Sequence, residues 1–582
     1  MTMPASFPTD LFLSAAVGLP LLGAIGLAVR PWRRALIHLI PWTALPALAA
    51  VGLLPDGDST VLHWVFLQAR LGLDPTGRLF LLFTSALWLL SGLYGTSYLR
   101  EDRQRARFFF FYGLAMSGNL GAILAQDMVS FYVFFALMSF SSYGLVVHTA
   151  EPDAVRAGRV YLCLVVAGEI FIFVALAMLA AGGASLDLID LNRKGMPSTE
   201  ILVLMWVGFG IKAGALPLHV WLPPAHSAAP TPASAVLSGA MIKVGLLGWL
   251  RFIPMEASAL PAWGAVFVAA GIAAAFYGVV VGAAQSHPKT ILAYSSISQM
   301  GLITVGFGAS FWDPAAAALT RPAISLYAIH HGLAKGALFL GVGIIYSAGA
   351  GSRAFKIAQA GLWFAALSLA GAPFTSGAVS KAALQSAVGL VPSTWQAVLS
   401  TLLPLASIGT TLLMGRLVYV LASARPAHGP LRPGMWLAWL PMLAMVAAAL
   451  FLLPTAGEAR ELSYQAVWSS LWPLATGGTL TALIWAAARN RCAPSLPVLP
   501  PGDIVVIYVA ALRACVRIAA ATRSALSVQV PGGGAMAALL KRAAAGALSV
   551  ESSLGTWRIS GLMFLSLVFS FLLIFLSKMM FG

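Results

Sequence analysis

Apolar runs of about 20 residues follow one another along almost the whole chain, with only short gaps between them. A helix needs about 20 largely apolar residues to cross the hydrocarbon core of a bilayer. Of the 582 residues, 59% are hydrophobic and only 9% are charged. A soluble domain carries roughly 25% charged residues. The sequence therefore predicts one integral membrane protein with many spans instead of a series of soluble domains.

The length of these runs predicts helices. Backbone groups in lipid must satisfy their hydrogen bonds within the spanning structure, and runs this long do so as helices and not as barrel strands. The predicted fold class is an all-α polytopic membrane protein with about sixteen transmembrane helices. The predicted spans begin near residues 11, 35, 78, 108, 128, 159, 200, 232, 260, 288, 322, 356, 395, 431, 467 and 560.

The charges in the connections predict the orientation, because short cytoplasmic loops are enriched in lysine and arginine. Basic clusters follow the odd-numbered spans, and acidic residues fall in the alternate connections. We predict a multi-pass protein of the cell (inner) membrane with its N-terminus outside. The basic clusters contain Arg30, Arg33, Arg34, Arg100, Arg103, Arg105, Arg107, Arg156, Arg159, Lys289, Arg353, Lys356, Arg425, Arg432, Arg489 and Arg491, and the acidic residues are Asp56, Asp58, Asp187, Asp190, Glu458 and Glu461.

The C-terminal part differs from the rest of the chain. Residues 500–559 contain two moderately apolar stretches with several basic residues, broken by a Pro-Gly-Gly-Gly sequence at 531–534. We predict that this segment lies along the cytoplasmic interface as an amphipathic helix. A poorly apolar extra span is the alternative. Residues 560–582 are predicted to form a C-terminal anchor helix.

Ionisable residues occur well inside several predicted spans. Charged groups in the hydrocarbon core are costly and by default mark an ion path. A single lysine could extend to the headgroups or form a structural pair, but several lysines near the middle of their spans are hard to explain in this way. Arg251 and Arg416 lie near span ends and are expected to extend to the headgroups or to form a structural pair between helices, and Lys289 is ambiguous. The predicted path residues are Glu169, Lys212, Lys243, His330, His331, Lys335 and Lys381.

Two of the lysine-bearing spans also contain a helix break. Pro217 interrupts the span of Lys212, and Pro373 interrupts the span that precedes Lys381. Broken helices at corresponding places in two halves of a membrane protein indicate an internal inverted repeat with its site near the midplane. Unwound backbone at that depth must face protein or water, which would hydrate a path.

Other functional classes lack a sequence signal. Cys163, Cys492 and Cys515 are far apart, and no glycine-rich dinucleotide motif follows a strand. The net charge of +16 comes from arginines in short loops, which does not favour nucleic-acid binding. We therefore predict no cofactor, metal or nucleic acid. No redox site lies in this chain, so any redox chemistry belongs to partner subunits.

Five segments resemble the antiporter-like subunits of respiratory complex I, of membrane-bound hydrogenases and formate hydrogenlyases, and of multisubunit cation/proton antiporters. The resemblance covers roughly residues 70–420, and the first long motif, with its Lys–Pro–His–Trp–Leu–Pro order, is highly specific. The segments are FYVFFALMSFSSY (131–143), KAGALPLHVWLPPAHSAAPTPASA (212–235), HPKTILAYSSISQMG (287–301), HHGLAKGALFL (330–340) and GAPFTSGAVSK (371–381).

The resemblance implies two inverted five-helix repeats, at 108–253 and 260–424, each forming a half-channel. Residues 1–107 would then be a three-helix N-terminal segment and 425–499 two further helices. By motif position, Lys212 matches the buried lysine of the first broken helix and Lys243 the connecting lysine. His331 and Lys335 match the central-axis pair, and Lys381 matches the lysine or glutamate of the second broken helix.

One departure from the family concerns the first half-channel. The family usually carries a glutamate in the fifth span, and Ala136 stands at the matching position here. Lys212 would then lack its usual counter-charge, and an isolated buried charge is costly. Glu169, also near the midplane by helix geometry, is the candidate replacement, although the family often has an acid near that position as well.

Four functions follow as hypotheses. The first is a proton-translocating subunit of a larger complex with other membrane subunits, driven by redox partners of an NADH:quinone oxidoreductase-like or hydrogenase-like kind. The others are a subunit of a multisubunit Na⁺/H⁺ antiporter, a proton-coupled inorganic-carbon uptake module, and a non-conducting scaffold. The sequence does not distinguish the ion, the complex or the direction of transport.

Overall fold

The computed structural model of the protein is almost entirely helical in its described part. Twelve segments of that part are long and apolar enough to cross a membrane, which confirms the prediction of a multi-pass helical membrane protein. The predicted lateral segment 500–559 and anchor helix 560–582 lie outside the described residues. The structure describes residues 9–489 except 63–68, 184, 194–195, 256–258, 314–315, 350, 390, 424–431 and 453–463.

The N-terminal part contains four helices and a small pair of antiparallel strands. The strands β1 (Ser59–Leu62) and β2 (Ala69–Gly72) pair with Thr60 opposite Leu71, an element that the helical prediction did not include. They lie in the connection before the third predicted span, where the apolar stretch is shorter than the runs of about 20 residues that require helices. The helices are α1 (Thr9–Gly26), α2 (Arg33–Leu39), α3 (Leu45–Leu53) and α4 (Pro75–Tyr98).

The next part corresponds to the predicted first repeat. A π-helical turn, Leu237–Met241, joins its last two helices into one span. The helices are α5 (Arg105–Leu124), α6 (Met128–Val146), α7 (Pro152–Ala181), α8 (Leu188–Arg193), α9 (Thr199–Ala213), α10 (Leu222–Ala228), α11 (Thr231–Val236) and α12 (Ile242–Phe252).

The following part contains the predicted second repeat and two further helices. Its helices are α13 (Pro261–Ala283), α14 (Pro288–Ala309), α15 (Ala317–Ser347), α16 (Arg353–Ala370), α17 (Ser376–Val388), α18 (Ser393–Ala422), α19 (Pro433–Leu452) and α20 (Tyr464–Arg489).

Each predicted span start between residues 11 and 467 falls on or next to one of these helices. Three of the predicted spans, at α5, at α16 with α17 and at α20, are helical but do not belong to the twelve apolar segments. The predicted start near 560 lies outside the described residues.

The two predicted helix breaks have the same local geometry. Helix α9 ends at Gly214 (φ 72°) and helix α16 ends at Gly371 (φ 90°), both in the left-handed region. At each break the glycine and the following alanine donate backbone hydrogen bonds to the last turn of the helix, as in a Schellman motif. Pro217 and Pro373 follow and prevent the helix from continuing.

Both halves also present their elements in the same order. Three continuous helices are followed by a broken one and then by a fifth, from α5 to α12 and again from α13 to α18. The two repeats at 108–253 and 260–424, and their inverted relation, stay predictions.

The most enclosed helices lie at the centre of the bundle. In the spans Thr231–Phe252, Pro288–Ala309 and Ala317–Ser347 an apolar window of 18 residues is completely buried within the protein, whereas only 33% of the Thr9–Gly26 window is buried. Lys243, His331 and Lys335 lie on these enclosed helices. A group that cannot reach lipid or bulk water from its helix must find its partners inside the protein.

Arg251 takes the structural alternative of the two expected for it. Its guanidinium is buried and donates to the carbonyls of Ala122, Ile123 and Ala125 at 3.1, 2.6 and 2.8 Å. It also bonds Asp74 Oδ1 at 2.8 Å. These carbonyls belong to the end of α5, where backbone acceptors lack helical partners and the helix dipole favours a cation. Arg251 is therefore a structural helix cap.

Candidate functional site

Lys212 lies at the end of α9, directly before the first helix break. Its side chain is 2% exposed, and Nζ donates to the hydroxyl of Tyr161 at 3.2 Å. Nζ also lies 5.6 Å from the centre of the Tyr161 ring, a cation–π contact. The Tyr161 hydroxyl in turn donates to the carbonyl of Ser139 at 2.7 Å. The lysine is therefore held by an aromatic hydroxyl and not by a direct ion pair.

Glu169 lies on α7, beside the helix that carries Lys212. It is 4% exposed, and among the described residues it is the only buried carboxylate. Neither carboxylate oxygen has a hydrogen-bond partner in the described part of the chain, but Lys212 lies within its electrostatic reach. The predicted partner acid is thus placed next to the lysine without touching it.

Two glycines bring Glu169 close to Lys212. A Cβ on Gly208 would lie 3.1 Å from the Gly168 carbonyl oxygen and 2.6 Å from Ile172 Cγ1. Helices α7 and α9 therefore touch backbone to backbone one residue before the acid and about one turn before the lysine. Ala136 lies on α6, about one turn before Ser139, the residue that accepts the Tyr161 hydrogen bond.

Lys243 lies on α12 directly after the π-helical turn. Its side chain is completely buried, and Nζ donates to the carbonyl of Ser238 within that turn. A π turn disturbs the regular pattern of helical hydrogen bonds and frequently marks a functional position. Gly245 packs its backbone against Ala213, where a Cβ would lie 2.6 Å from the Ala213 nitrogen. Lys212 and Lys243 therefore lie on helices that touch at these neighbouring positions, although no hydrogen bond joins the two lysines within the described residues.

Lys335 lies on α15 and contacts α14. Its buried Nζ donates to the Leu292 carbonyl at 2.8 Å, and the Ser296 hydroxyl donates to the same oxygen at 3.0 Å. The Ser296 hydroxyl is 2.8 Å from that of Ser238. Lys243 and Lys335 thus bond backbone oxygens on either side of one polar chain, which consists of the Ser238 and Ser296 hydroxyls.

Two histidines lie beside these lysines. His331, one turn before Lys335, and His226 on α10 are both completely buried. None of their ring nitrogens has a hydrogen-bond partner among the residues that the structure describes. Both rings lie within electrostatic reach of Lys243 and Lys335, and His226 stacks on Phe339 with ring centres 4.7 Å apart. Buried polar atoms are rarely left unpaired and are often met by water.

His330 connects the central helices to the second break. Its Nδ1 is 2.9 Å from the hydroxyl of Ser376, the first residue of α17. Gly377 allows this approach, because its Cα faces the Ser368 carbonyl and a Cβ there would lie 3.1 Å from His330 Cε1. His330 therefore bonds the second broken helix and not the groups that Lys243 and Lys335 bond.

Lys381 lies on α17, after the second break. Its Nζ donates to the Ala370 carbonyl at 2.6 Å and to the Ser407 hydroxyl at 3.1 Å. Ala370 is the last residue of α16, so the ammonium group sits at the negative end of the first half of the broken helix. A cavity of about 60 Å³ adjoins the lysine and extends to Gln385, Ser469 and Ser470. This volume has room for a few water molecules.

Lys289, which the sequence left ambiguous, lies in the first turn of α14. Its Nζ donates to the Ala229 carbonyl at 2.6 Å, at the C-terminal end of α10. A cation at this position caps the helix. Burial and the nearby Lys289 lower the pKa of His287, just before the span, to about 4, so this imidazole is neutral at physiological pH. Among the described residues, no group of three or more His, Cys, Asp or Glu could hold a metal ion.

Sequence reasoning missed several residues of the site. Tyr161, His226 and the serines that contact Lys243, Lys335 and His330 were not singled out. His226 stands inside the quoted 212–235 motif, and an imidazole in an apolar span was the signal that could have found it. The serine hydroxyls carried no comparable signal, because serine is common in membrane helices and satisfies itself on its own helix.

The second break makes a testable structural prediction. Gly371→Ala should destabilise the protein by more than Gly351→Ala, since both glycines have positive φ but only Gly371 faces a neighbour, Lys381 Cδ at 2.9 Å from a Cβ. The left-handed backbone alone costs roughly 1–2 kcal/mol for a residue with a Cβ. Thermal unfolding of the purified protein in detergent measures the difference. Equal losses in the two variants would show that the Lys381 side chain does not press on the break.

Comparisons with known proteins show which family the chain belongs to. Residues 125–405 match the family model described as NADH:quinone oxidoreductase/Mrp antiporter, TM. The chain is 32% identical to NAD(P)H-quinone oxidoreductase chain 4 1 of Synechococcus sp. (strain JA-2-3B'a(2-13)) over 67% of this chain and 75% of that protein. It is also 32% identical to hydrogenase-4 component B of Escherichia coli (strain K12), over 48% of this chain and 44% of that protein.

The fold is similar to a solved structure of the Mrp complex from Dietzia sp. DQ12-45-1b, with a TM-score of 0.70 and 22% identity over 94% of this chain and 63% of that one. The chain therefore spans about half the length of some relatives and most of the length of others. The family is shown by the Synechococcus relative, which is 32% identical to this chain over 67% of this chain and 75% of its own length. The chain is an antiporter-like transmembrane subunit and belongs to the NADH:quinone oxidoreductase/Mrp antiporter family.

Proposed function

We propose that this chain translocates protons through its buried lysines and histidines, as one membrane subunit of a larger complex driven by redox chemistry in partner subunits. The observation that carries the proposal is the central site, where Lys243 and Lys335 lie on the buried parts of enclosed helices and bond backbone oxygens on either side of the hydrogen-bonded Ser238–Ser296 hydroxyls. The relative that decides the family is named as a chain of an NAD(P)H-quinone oxidoreductase, which supports a redox driver. We place the complex in the cell (inner) membrane with the N-terminus of this chain outside.

The electrostatics of the interior support movement of a positive charge. Lys212, Lys243 and Lys335 are buried, whereas Glu169 is the only buried acid of the described part. Two like charges repel strongly in a medium of low dielectric constant. A proton on Lys243 therefore makes a proton on Lys335 less favourable. A charge that arrives at one lysine favours departure of the charge from the next, which is what a relay requires.

The positions along the chain suggest the order of the relay. Lys212 and Glu169 form a first site, Lys243 with His226, His331 and Lys335 a central site, and His330 with Lys381 a last site. The cavity beside Lys381 reaches Ser469 and Ser470 near the start of α20. The predicted topology puts that end of α20 outside, so we propose that this cavity is the outer access of the path.

A transport experiment tests the proposal. The purified complex is reconstituted into vesicles, and a pH-sensitive dye follows proton movement while the complex turns over its own electron donor. We expect the pH inside the vesicles to change during turnover, and we expect this change to continue in sodium-free buffer. Transport that requires sodium and proceeds on a sodium gradient without an electron donor would favour the antiporter alternative. The absence of any ion movement from an active complex would favour a scaffold.

The role of Glu169 is a separate prediction. Glu169→Gln should lower proton transport severalfold, because it removes the only nearby counter-charge of Lys212 while it keeps the size of the side chain. Ala136→Glu in the same protein should restore part of the loss, since α6 also contributes Ser139 to the Tyr161–Lys212 contact. Dye-monitored transport at several pH values measures both variants.

A matched control is Glu200→Gln, which removes an exposed carboxylate from the first turn of α9. We expect wild-type transport from this control. Normal transport and an unchanged pH profile in Glu169→Gln would show that Lys212 works without this acid. Transport that begins only in Ala136→Glu would show that the natural first half-channel does not conduct.

A further inference from the structure

Two serine hydroxyls stand between the central lysines. Ser238 and Ser296 are completely buried, and their Oγ atoms are 2.8 Å apart. Lys243 bonds the backbone oxygen of Ser238, and Lys335 shares the Leu292 carbonyl with the Ser296 hydroxyl. Each lysine is thus bonded to a carbonyl oxygen beside the nearer serine hydroxyl, Lys243 to that of Ser238 itself and Lys335 to one that also accepts from Ser296.

The packing around this pair is tight. A Cβ on Gly239 would lie 3.0 Å from the Gly332 carbonyl oxygen, and a Cβ on Gly332 would lie 2.8 Å from the Gly239 carbonyl oxygen. The π turn and α15 therefore touch backbone to backbone directly beside Ser238. At this contact the two backbones leave no room for an ion between them.

We propose that the Ser238–Ser296 pair is a proton-selective link, through which protons but no metal cation cross from the first half of the chain to the second. The inference rests on the proposed proton function and adds the identity of the ion that crosses at this point. A sodium ion here would have to separate two hydroxyls in direct contact, and it would lie between two amino groups that carry the positive charge of the path. A proton needs neither space nor new ligands, because it moves by exchange of hydrogen bonds.

The transfer balances without another reactant. Lys243 in its ammonium form turns from the Ser238 carbonyl to the Ser238 hydroxyl and gives it a proton, becoming a neutral amine. Ser238 passes its own hydroxyl proton to Ser296, and Ser296 passes its own to neutral Lys335, which becomes the ammonium. Both hydroxyls are neutral before and after the transfer, and each then rotates back to its first orientation.

Single alanine substitutions test the link. Ser238→Ala and Ser296→Ala should each lower proton transport at least about tenfold in reconstituted vesicles, in line with the effect of removing one group from a proton-transfer step. Removal of one hydroxyl leaves less space than a water molecule occupies, so water cannot replace it. Ser296→Thr retains the hydroxyl and should recover much of the transport.

The same helix offers matched controls. Ser295 and Ser298 on α14 are as deeply buried as Ser296, but their hydroxyls have no hydrogen-bond partner among the described residues. Ser295→Ala and Ser298→Ala should therefore transport protons at the wild-type rate. Loss of transport in these controls equal to that of Ser296→Ala would assign the effect to packing of α14 and would overturn the proposal.

Two further outcomes separate this inference from the proposed function. If Lys243→Met stops proton transport but Ser238→Ala and Ser296→Ala do not, the path exists and the serine link is wrong. If none of these variants changes transport, the proposed proton function of the chain itself fails. Radioactive sodium uptake that falls in parallel in Lys243→Met and both serine variants would show that a metal cation crosses here, which contradicts the link.

Discussion

Lys212→Ala is expected to lower coupled proton transport at least about a hundredfold, the scale at which a positioned proton-transfer group contributes. The lysine lies at the end of α9, where the helix break opens the backbone, and it is buried with Tyr161 and Glu169 beside it. A hydrated half-channel needs a group at this depth that accepts and returns the proton. Alanine removes that group and leaves the tyrosine hydroxyl without its donor.

Two comparison variants make this result interpretable. Lys212→Arg keeps a positive charge that does not leave at physiological pH, so it should assemble normally and still fail to transport. Lys356→Ala removes an exposed lysine from α16 and should behave as wild type. Proton transport in reconstituted vesicles, normalised to turnover of the driving reaction, measures all three. Normal transport by Lys212→Ala would contradict the role assigned to this residue.

The second large effect is expected at His331 and Lys335, which share one face of α15 at a spacing of four residues. Substitution of either residue, His331→Ala or Lys335→Ala, should lower transport at least about tenfold. The double variant should be no more than about twofold worse than the poorer single variant, because groups that act in series are lost together. Histidine suits this step because its imidazole accepts a proton at one ring nitrogen and releases one from the other.

The measurement is a double-mutant cycle on transport rates, with the cycle Lys335→Ala and Lys289→Ala for comparison. Lys289 lies in the first turn of α14 and caps the C-terminal end of α10. It does not bond the same groups as Lys335. Its loss should therefore combine with that of Lys335 as an independent factor. Losses that multiply in the His331–Lys335 cycle as well would indicate two separate pathways in place of one relay.

Much of the fold follows from the sequence because the bilayer restricts what an apolar run can form. Every predicted span start up to residue 467 falls on or next to a helix, and Pro217 and Pro373 mark the two breaks. The strand pair at Ser59–Leu62 and Ala69–Gly72 could not be predicted, since it forms in a connection too short to span the bilayer, where no such restriction applies. The choice between the two alternatives for Arg251 could not be made from the sequence, because a position near a span end does not reveal the free carbonyls of α5.

The ionisable residues of the site could also be predicted from the sequence, because charges within apolar runs are costly and indicate a function. Their grouping in space could not be predicted. The sequence treats Lys243 and Lys335 as residues of different halves, and only the packing of α14 and α15 against the π turn brings them to one polar chain. Hydroxyl and aromatic partners such as Ser296 and Tyr161 become recognisable once the contacts are known.

The most direct test of the account is the number of protons moved per turnover of the driving reaction in a complex that carries Lys243→Met. Methionine fills the buried space with an apolar chain of similar length, and Lys356→Met is the exposed control. If the path runs through the central lysines, Lys243→Met should lose at least about nine-tenths of the proton transport through this chain. The control should keep the wild-type number of protons per turnover. An unchanged proton count in Lys243→Met would contradict the account.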